Sequence, residues 1–160
     1  MLKQRIYKKE KRYFKVVEHD YRHYNIDIKL PERSTKHSAG YDFFTPISFN
    51  IPSKGFRRIY TDIKAFMQPD EVLNLYIRSS LGIKKNLMLC NSVGVCDSDY
   101  FENEDNDGNI IIALYNYGEQ DVEIEMGERI MQGIFQKYLT VDNDSVKTKR
   151  IGGVGSTGIK

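Results

Sequence analysis

The residues best placed to do chemistry stand together in Asn91-Ser92-Val93-Gly94-Val95-Cys96-Asp97-Ser98-Asp99-Tyr100. Up to Cys96 the stretch is small and apolar. It then turns acidic and ends in an aromatic ring. Val93, Val95 and Asp97 alternate, as in a strand that leaves a core and delivers a carboxylate at its end. A carboxylate held there can take a proton from water and start a hydrolysis. A hydrophobic strand running into a solvated turn looks the same, so the stretch alone leaves both readings open.

Other groups flank it in order. Ala39-Gly40-Tyr41-Asp42-Phe43 and Arg78-Ser79-Ser80 lie upstream. Gly127-Glu128-Arg129-Ile130-Met131-Gln132 lies downstream, and the chain closes with Gly152-Gly153-Val154-Gly155-Ser156-Thr157-Gly158. Each group is weak evidence alone. Together, from Leu30 to the C-terminus, they resemble the ordered motifs of the trimeric dUTP pyrophosphatases (dUTPases).

Hydrolysis of a nucleoside triphosphate needs a positioned water, a base, and positive or hydrogen-bonding groups around the phosphates. The resemblance assigns these roles. Asp97 matches the base that activates water against the α-phosphorus, giving dUMP and pyrophosphate. Tyr100 matches the ring that packs on deoxyribose and leaves no room for a 2′-hydroxyl. Asn91 and the backbone of Gly94, Val95 and Cys96 match the uracil-reading hairpin, and Ile111 adds a contact across the same hairpin by register. Arg78, Ser79 and Ser80 match the phosphate-binding turn, with Ser80 where the family pattern has glycine. Gln132 matches a phosphate-binding glutamine. Asp42 and Arg129 match supporting residues, for which an interface salt bridge is an equal reading. In the tail, Val154 replaces the phenylalanine that stacks on uracil. Gly155, Ser156 and Thr157 keep the pattern that presents amides and hydroxyls to the γ-phosphate. The motif's basic residue is Arg150 or Lys149. Magnesium is implied as cofactor, held by phosphates and water with no dedicated protein cage.

Short strand-like runs at roughly ten-residue spacing must position these groups. Candidate strands are Ile26–Leu30, Tyr41–Phe44, Ile47–Ile51, Phe56–Phe66, Val72–Ile77, Met88–Cys96, Ile110–Tyr117 and Val122–Ile124. Ser79–Asn86 reads as a short helix with Ser79 or Ser80 as N-cap. Glu128–Leu139 is ambiguous by periodicity, and the resemblance favours a strand. The acidic run Phe101–Gly108 reads as a solvated hairpin connection. Its Asn103-x-Asp105-x-Asp107-Gly108 starts like a calcium loop, but Leu114 stands where a bidentate carboxylate is needed. The pattern predicts an all-β sandwich or barrel. The resemblance makes it a distorted jelly roll of the β-clip type, a homotrimer whose C-terminal arm crosses to a neighbour and whose active sites draw on all three chains.

The chain has 160 residues, enough for one domain with a real core. Residues 1–24 form a basic N-terminal extension of that domain, residues 25–141 the β domain, and residues 142–160 a linker and glycine-rich arm. A formal net charge of +2 makes no case for bulk nucleic-acid binding. The basic, tyrosine-rich N-terminus reads as a strand or arm with a solvated face rather than a single-strand binder. Cys90 and Cys96 read as free core thiols of a reducing cytoplasm. No run of about 18 apolar residues and no signal-peptide pattern stands out, so the expected location is cytoplasmic, away from membranes. Two alternatives to a dUTPase remain: a dCTP deaminase-like enzyme, and a phage-type binding module gated by nucleotide.

Overall fold

In a computed structural model, the structure describes residues 11–155. The strands are β1 (Tyr13–Val16), β2 (Glu32–Arg33), β3 (Tyr41–Phe44), β4 (Phe49–Ile51), β5 (Phe56–Tyr60) and β6 (Ile63–Phe66). They continue with β7 (Glu71–Ile77), β8 (Leu87–Leu89), β9 (Gly94–Asp97), β10 (Ile111–Asn116), β11 (Val122–Ile124) and β12 (Arg129–Lys137). One α-helix, α1 (Ser79–Lys84), and two single 3₁₀ turns, His19–Tyr21 and Ser98–Tyr100, complete the described residues. The fold is therefore all-β with one short helix.

Every ladder is antiparallel. One sheet runs β2-β3-β12-β7-β9 and a second runs β5-β10-β8, while β1 pairs with β6 and β4 with β11. The alternation that marks the strands also builds the core. Leu73 and Leu75 on β7 turn inward, as do Ile112 and Leu114 on β10; on β12 the adjacent Ile130 and Met131 are both buried, where the ladder register shifts. Each such side chain, fully buried, contributes about 1.5–3 kcal/mol. The expected strand for the ambiguous segment is present as β12, the longest in the fold.

Several boundaries differ from the sequence reading. Ile26–Leu30 is not a strand, because only Ile28 reaches the core while Ile26 and Leu30 stay exposed and no sheet edge meets them. Pairing starts instead at Glu32 and Arg33, opposite Asp42 and Tyr41. The run from Phe56 to Phe66 breaks at Thr61-Asp62, because β5 pairs with β10 whereas β6 pairs with β1. Asp62 sits there with φ 55°, its buried carboxylate accepting the His23 and Tyr24 N–H groups and Asn109 Nδ2. Met88–Cys96 is two strands parted by a turn in which Ser92 has φ 62°. Helix α1 is capped by Arg78, with no side-chain cap bond from either serine. Phe101–Gly108 does not join a paired hairpin, since β9 pairs with β7 and β10 with β5 and β8.

Nor is that acidic run a solvated turn. Asn103 and Asp107 are buried, and Asp107 grips the fully buried Lys64 of β6 through both oxygens at 2.9 and 2.8 Å. Cys96 is a buried thiol as expected, but Cys90 is exposed. The N-terminal strand is integral to the core: Phe14 packs its ring on Tyr41, Phe43 and Phe135, and Val17 is buried.

Candidate active site

A cavity of about 760 Å³ opens between the edge strand β9 and the outward face of β10. Its walls carry Asn91, Gly94, Val95, Cys96, Asp97, Tyr100 and Ile111, and the arm brings Arg150, Val154 and Gly155 to its mouth. The position of β9 explains what this wall can do. It is the last strand of its sheet, so among the described residues its outer edge has no ladder partner. Backbone N–H and C=O groups on that edge are free to pair with a flat, polar ligand. Its inner edge is fixed by Gly94, Val95, Cys96 and Asp97 opposite Leu75, Asn74, Leu73 and Val72. Asn91 is carried on the tight turn before β9, where Ser92 N–H reaches Leu89 O at 3.0 Å and Val93 N–H reaches Asn91 O at 2.7 Å. Burial pushes the Cys96 thiol up to about 12, so it is a neutral wall residue and not a nucleophile.

Tyr100 ends the 3₁₀ turn that follows β9 and is buried. Its hydroxyl donates to Asn109 O at 2.9 Å and accepts from Asn106 Nδ2 at 2.7 Å. Both bonds come from the acidic loop and its exit, so that loop sets the ring against the cavity. Burial raises the phenol's pKa, which keeps it a neutral surface.

Asp97 closes β9 at the cavity with its side chain half-exposed. Its Oδ2 accepts Arg150 Nη2 at 2.7 Å, while Asp99 Oδ1 accepts Arg150 Nε at 2.8 Å. Burial alone would lower the arginine's pKa, but the two carboxylates outweigh it and hold the guanidinium charged. Of the two basic residues open in the sequence, Arg150 is the one that turns to the cavity; Lys149 is exposed.

The remaining expected residues gather elsewhere. Asp42, buried on β3, accepts Ser34 Oγ at 2.6 Å and pairs with Arg78 Nε at 3.1 Å and Arg129 Nη1 at 3.4 Å. Arg129 also donates to Ser34 Oγ at 3.0 Å. Gln132 stands opposite Asp42 on the β3–β12 ladder. Gly40 lets the backbone pass close to this glutamine, since a Cβ there would collide with Gln132 Oε1. Ser79 and Ser80 are exposed at the start of α1. None of these residues lines the cavity. Ser156 and Thr157 lie outside the described residues.

Two contributors were not singled out from the sequence, and a third, Asp105, was read only as part of a calcium-loop-like pattern. Arg58 lines the cavity from β5, opposite Ala113, and Ser34 completes the Asp42 cluster. Asp105 accepts the Gly153 N–H at 2.8 Å. Each depends on pairing between distant segments, which no local pattern displays.

A profile of the dUTPase family matches residues 26–158. The deoxyuridine 5'-triphosphate nucleotidohydrolase of Lactococcus lactis subsp. lactis is 46% identical over 136 residues, covering 84% of this chain and 91% of that protein. The protein of the same name from Rickettsia akari is 34% identical over 142 residues, covering 84% and 92%. The crystal structure of dUTPase from Streptococcus mutans superposes with a TM-score of 0.72 at 41% identity, over 81% of this chain and 98% of that one. On a match spanning nearly all of the β fold and every element of the cavity, the chain belongs to the dUTPase family.

Proposed function

We propose that this protein hydrolyses dUTP to dUMP and pyrophosphate by attack of water on the α-phosphorus, with Asp97 as general base. The observation that carries the reading is one cavity in which a free strand edge, the Tyr100 ring and the Asp97 carboxylate meet. Uracil offers a donor between two acceptors, and cytosine reverses two of those positions. Backbone groups of Gly94, Val95 and Cys96, with Asn91, suit the first pattern and would be left unpaired by the second. Each unpaired group costs about 1–3 kcal/mol. Tyr100 is held by two hydrogen bonds and cannot yield to a 2′-hydroxyl, which excludes UTP. Arg150 engages Asp97 through Oδ2, and among the described residues nothing donates to Oδ1, which is left to orient water.

The phosphate-binding candidates Arg78, Ser79, Ser80 and Gln132 stand apart from the cavity, so one chain holds only part of the machinery. A homotrimer that brings the Asp42–Arg78–Arg129 cluster of one chain to the cavity of another completes it. Within that cluster Asp42 holds Arg78 in place for the phosphates; its oxygens are already engaged. The same assembly lets the arm reach a neighbour's mouth as well as its own.

Among the described residues no three His, Cys, Asp or Glu side chains gather as metal ligands. The proposed cofactor is magnesium carried on the triphosphate by phosphate and water ligands. When bound, it neutralises charge on the phosphate oxygens. Such an activity removes dUTP before uracil enters DNA and supplies dUMP, a cytoplasmic role. No helix among the described residues is long and apolar enough to cross a membrane.

Pyrophosphate release with magnesium and, separately, dUTP, dCTP, dTTP and UTP tests the reading. Wild type should act on dUTP alone, and Asp97→Asn should lose about 10²–10⁴-fold in kcat. Ammonia from dCTP, or an undiminished Asp97→Asn variant, would overturn it.

A further inference from the structure

We propose that Asp105 is a positioning residue for this reaction: its carboxylate latches the glycine-rich arm over the cavity through the Gly153 N–H. The proposal rests on the dUTP-hydrolysis reading for its kinetic consequence and on geometry alone for the latch. The arm lacks the aromatic ring that would stack on the base, and Val154 is 78% exposed, so its side chain does not hold the arm down. A backbone contact does. Gly153 N–H donates to Asp105 Oδ2 at 2.8 Å. A Cβ on the preceding Gly152 would collide with that same oxygen, so any side chain there must displace the Asp105 carboxylate.

The latch is presented by a loop built to stay still. Asn103 Oδ1 accepts the backbone N–H groups of Asp105 at 3.1 Å and Asn106 at 3.2 Å. Glu102 and Asp107 take left-handed φ values of 55° and 57°, and Asp107 is gripped by buried Lys64 and by the Glu18 N–H. The next residue, Asn106, donates to the Tyr100 hydroxyl. One loop thus holds both the ring and the arm at the cavity. Arg150 and the Gly153 N–H make different contacts, although Arg150 Nη1 also donates to Gly153 O at 3.3 Å. Arg150 sits on Asp97 and Asp99, and a nucleotide's phosphates compete for it. The Asp105–Gly153 bond involves neither carboxylate. It keeps Gly153, Val154 and Gly155 at the mouth while Arg150 transfers to the phosphates.

Limited trypsinolysis without nucleotide, read by mass spectrometry at Lys149 and Arg150, tests the latch independently of activity. Asp105→Ala should be cut about tenfold faster than wild type, the population shift expected from one charge-assisted hydrogen bond. Glu104→Gln, altering an exposed side chain of the same loop, should match wild type. In steady state Asp105→Ala should raise KM for dUTP about tenfold with kcat nearly unchanged, and Asp105→Asn, which keeps an acceptor oxygen, should recover part of the loss. Gly152→Ala lies outside the β core and serves if Asp105→Ala does not fold. It should speed cleavage in the wild-type background and add little once Asp105 is alanine. Equal cleavage of wild type and Asp105→Ala, unaltered cleavage of Gly152→Ala, or a full Gly152→Ala effect in both backgrounds would overturn the latch. A wild-type protein inert toward dUTP would instead sink the hydrolysis reading and leave the proteolysis result standing.

Discussion

Replacing Lys64 with methionine tests the scaffold behind the site. Lys64 is fully buried, and its ammonium meets Asp107 at 2.8 Å, Glu102 at 3.2 Å and Glu18 at 3.7 Å. Glu102 and Glu18 are 52% and 76% exposed and can turn to water, whereas Asp107 is 7% exposed and cannot. The loss is therefore set by one stranded carboxylate, to which, among the described residues, only the Glu18 N–H still donates. Breaking a buried pair from one side costs about 3–5 kcal/mol. For a chain of this size that is roughly 6–20 °C in Tm, compared at one protein concentration. Thermal unfolding followed by circular dichroism measures it. Lys64→Met/Asp107→Leu should recover most of the loss, because an apolar pair leaves no buried charge. The reasoning is refuted if Lys64→Met lowers Tm by under about 2 °C, or if the double variant is no better than the single. The pH dependence has a definite sign. Burial would lower the lysine's pKa, but bonds to Asp107 and Glu102 outweigh it and raise it above the ordinary 10.5. The pair's stabilisation is then fully present below 10.5 and is lost as pH rises through the folded value.

The remaining predictions concern the arm and the thiols. Val154→Phe should lower KM for dUTP about 5–150-fold, the worth of one aromatic stacked on a base, with kcat little changed; an unaltered or raised KM in initial-rate measurements would show that the arm does not reach the base. A thiol reagent at neutral pH should titrate Cys90 alone in the native protein and both cysteines after denaturation. Because Cys96 keeps its proton in the folded state up to about 12, against an ordinary 9.0, the unfolded state releases that proton first. Stability, read as denaturant midpoint, should fall as pH rises from 9 towards 12.

Local alternation made β7 and β10 readable, because each turns every second residue into the core, whereas β12 was ambiguous by periodicity and followed from the resemblance. The same alternation misled at Ile26–Leu30, where no strand edge was available to complete a ladder. Pairing was the general blind spot. Nothing local shows that β9 joins β7 and not β10, yet this choice frees the strand edge that lines the cavity. The acidic loop was misread for a related reason. Its charges look solvated until Lys64 arrives from a strand some forty residues away to bury one of them. Of the motif residues, Asn91, Gly94, Asp97, Tyr100, Ile111, Arg150, Val154 and Gly155 meet at the cavity while Arg78 and Gln132 do not; Arg58 and Ser34 carry no motif, and the arm contact of Asp105 emerges only from the fold.

The arm's contacts also bear on how an anionic substrate can enter a mouth that carries two carboxylates. Asp97 and Asp99 alone would repel a triphosphate. Arg150, only 10% exposed between them, cancels one of the two negative charges before any nucleotide arrives. Transfer of its guanidinium from carboxylates to phosphates exchanges one set of charge-assisted hydrogen bonds for another, so the step need not be steep. On the proposed mechanism its departure frees Asp97 Oδ2 as well as Oδ1 at the moment a substrate is present to be attacked. One oxygen of the proposed base is thereby held by Arg150 when no substrate is bound, and on the proposed latch the arm that releases it remains tethered at Gly153.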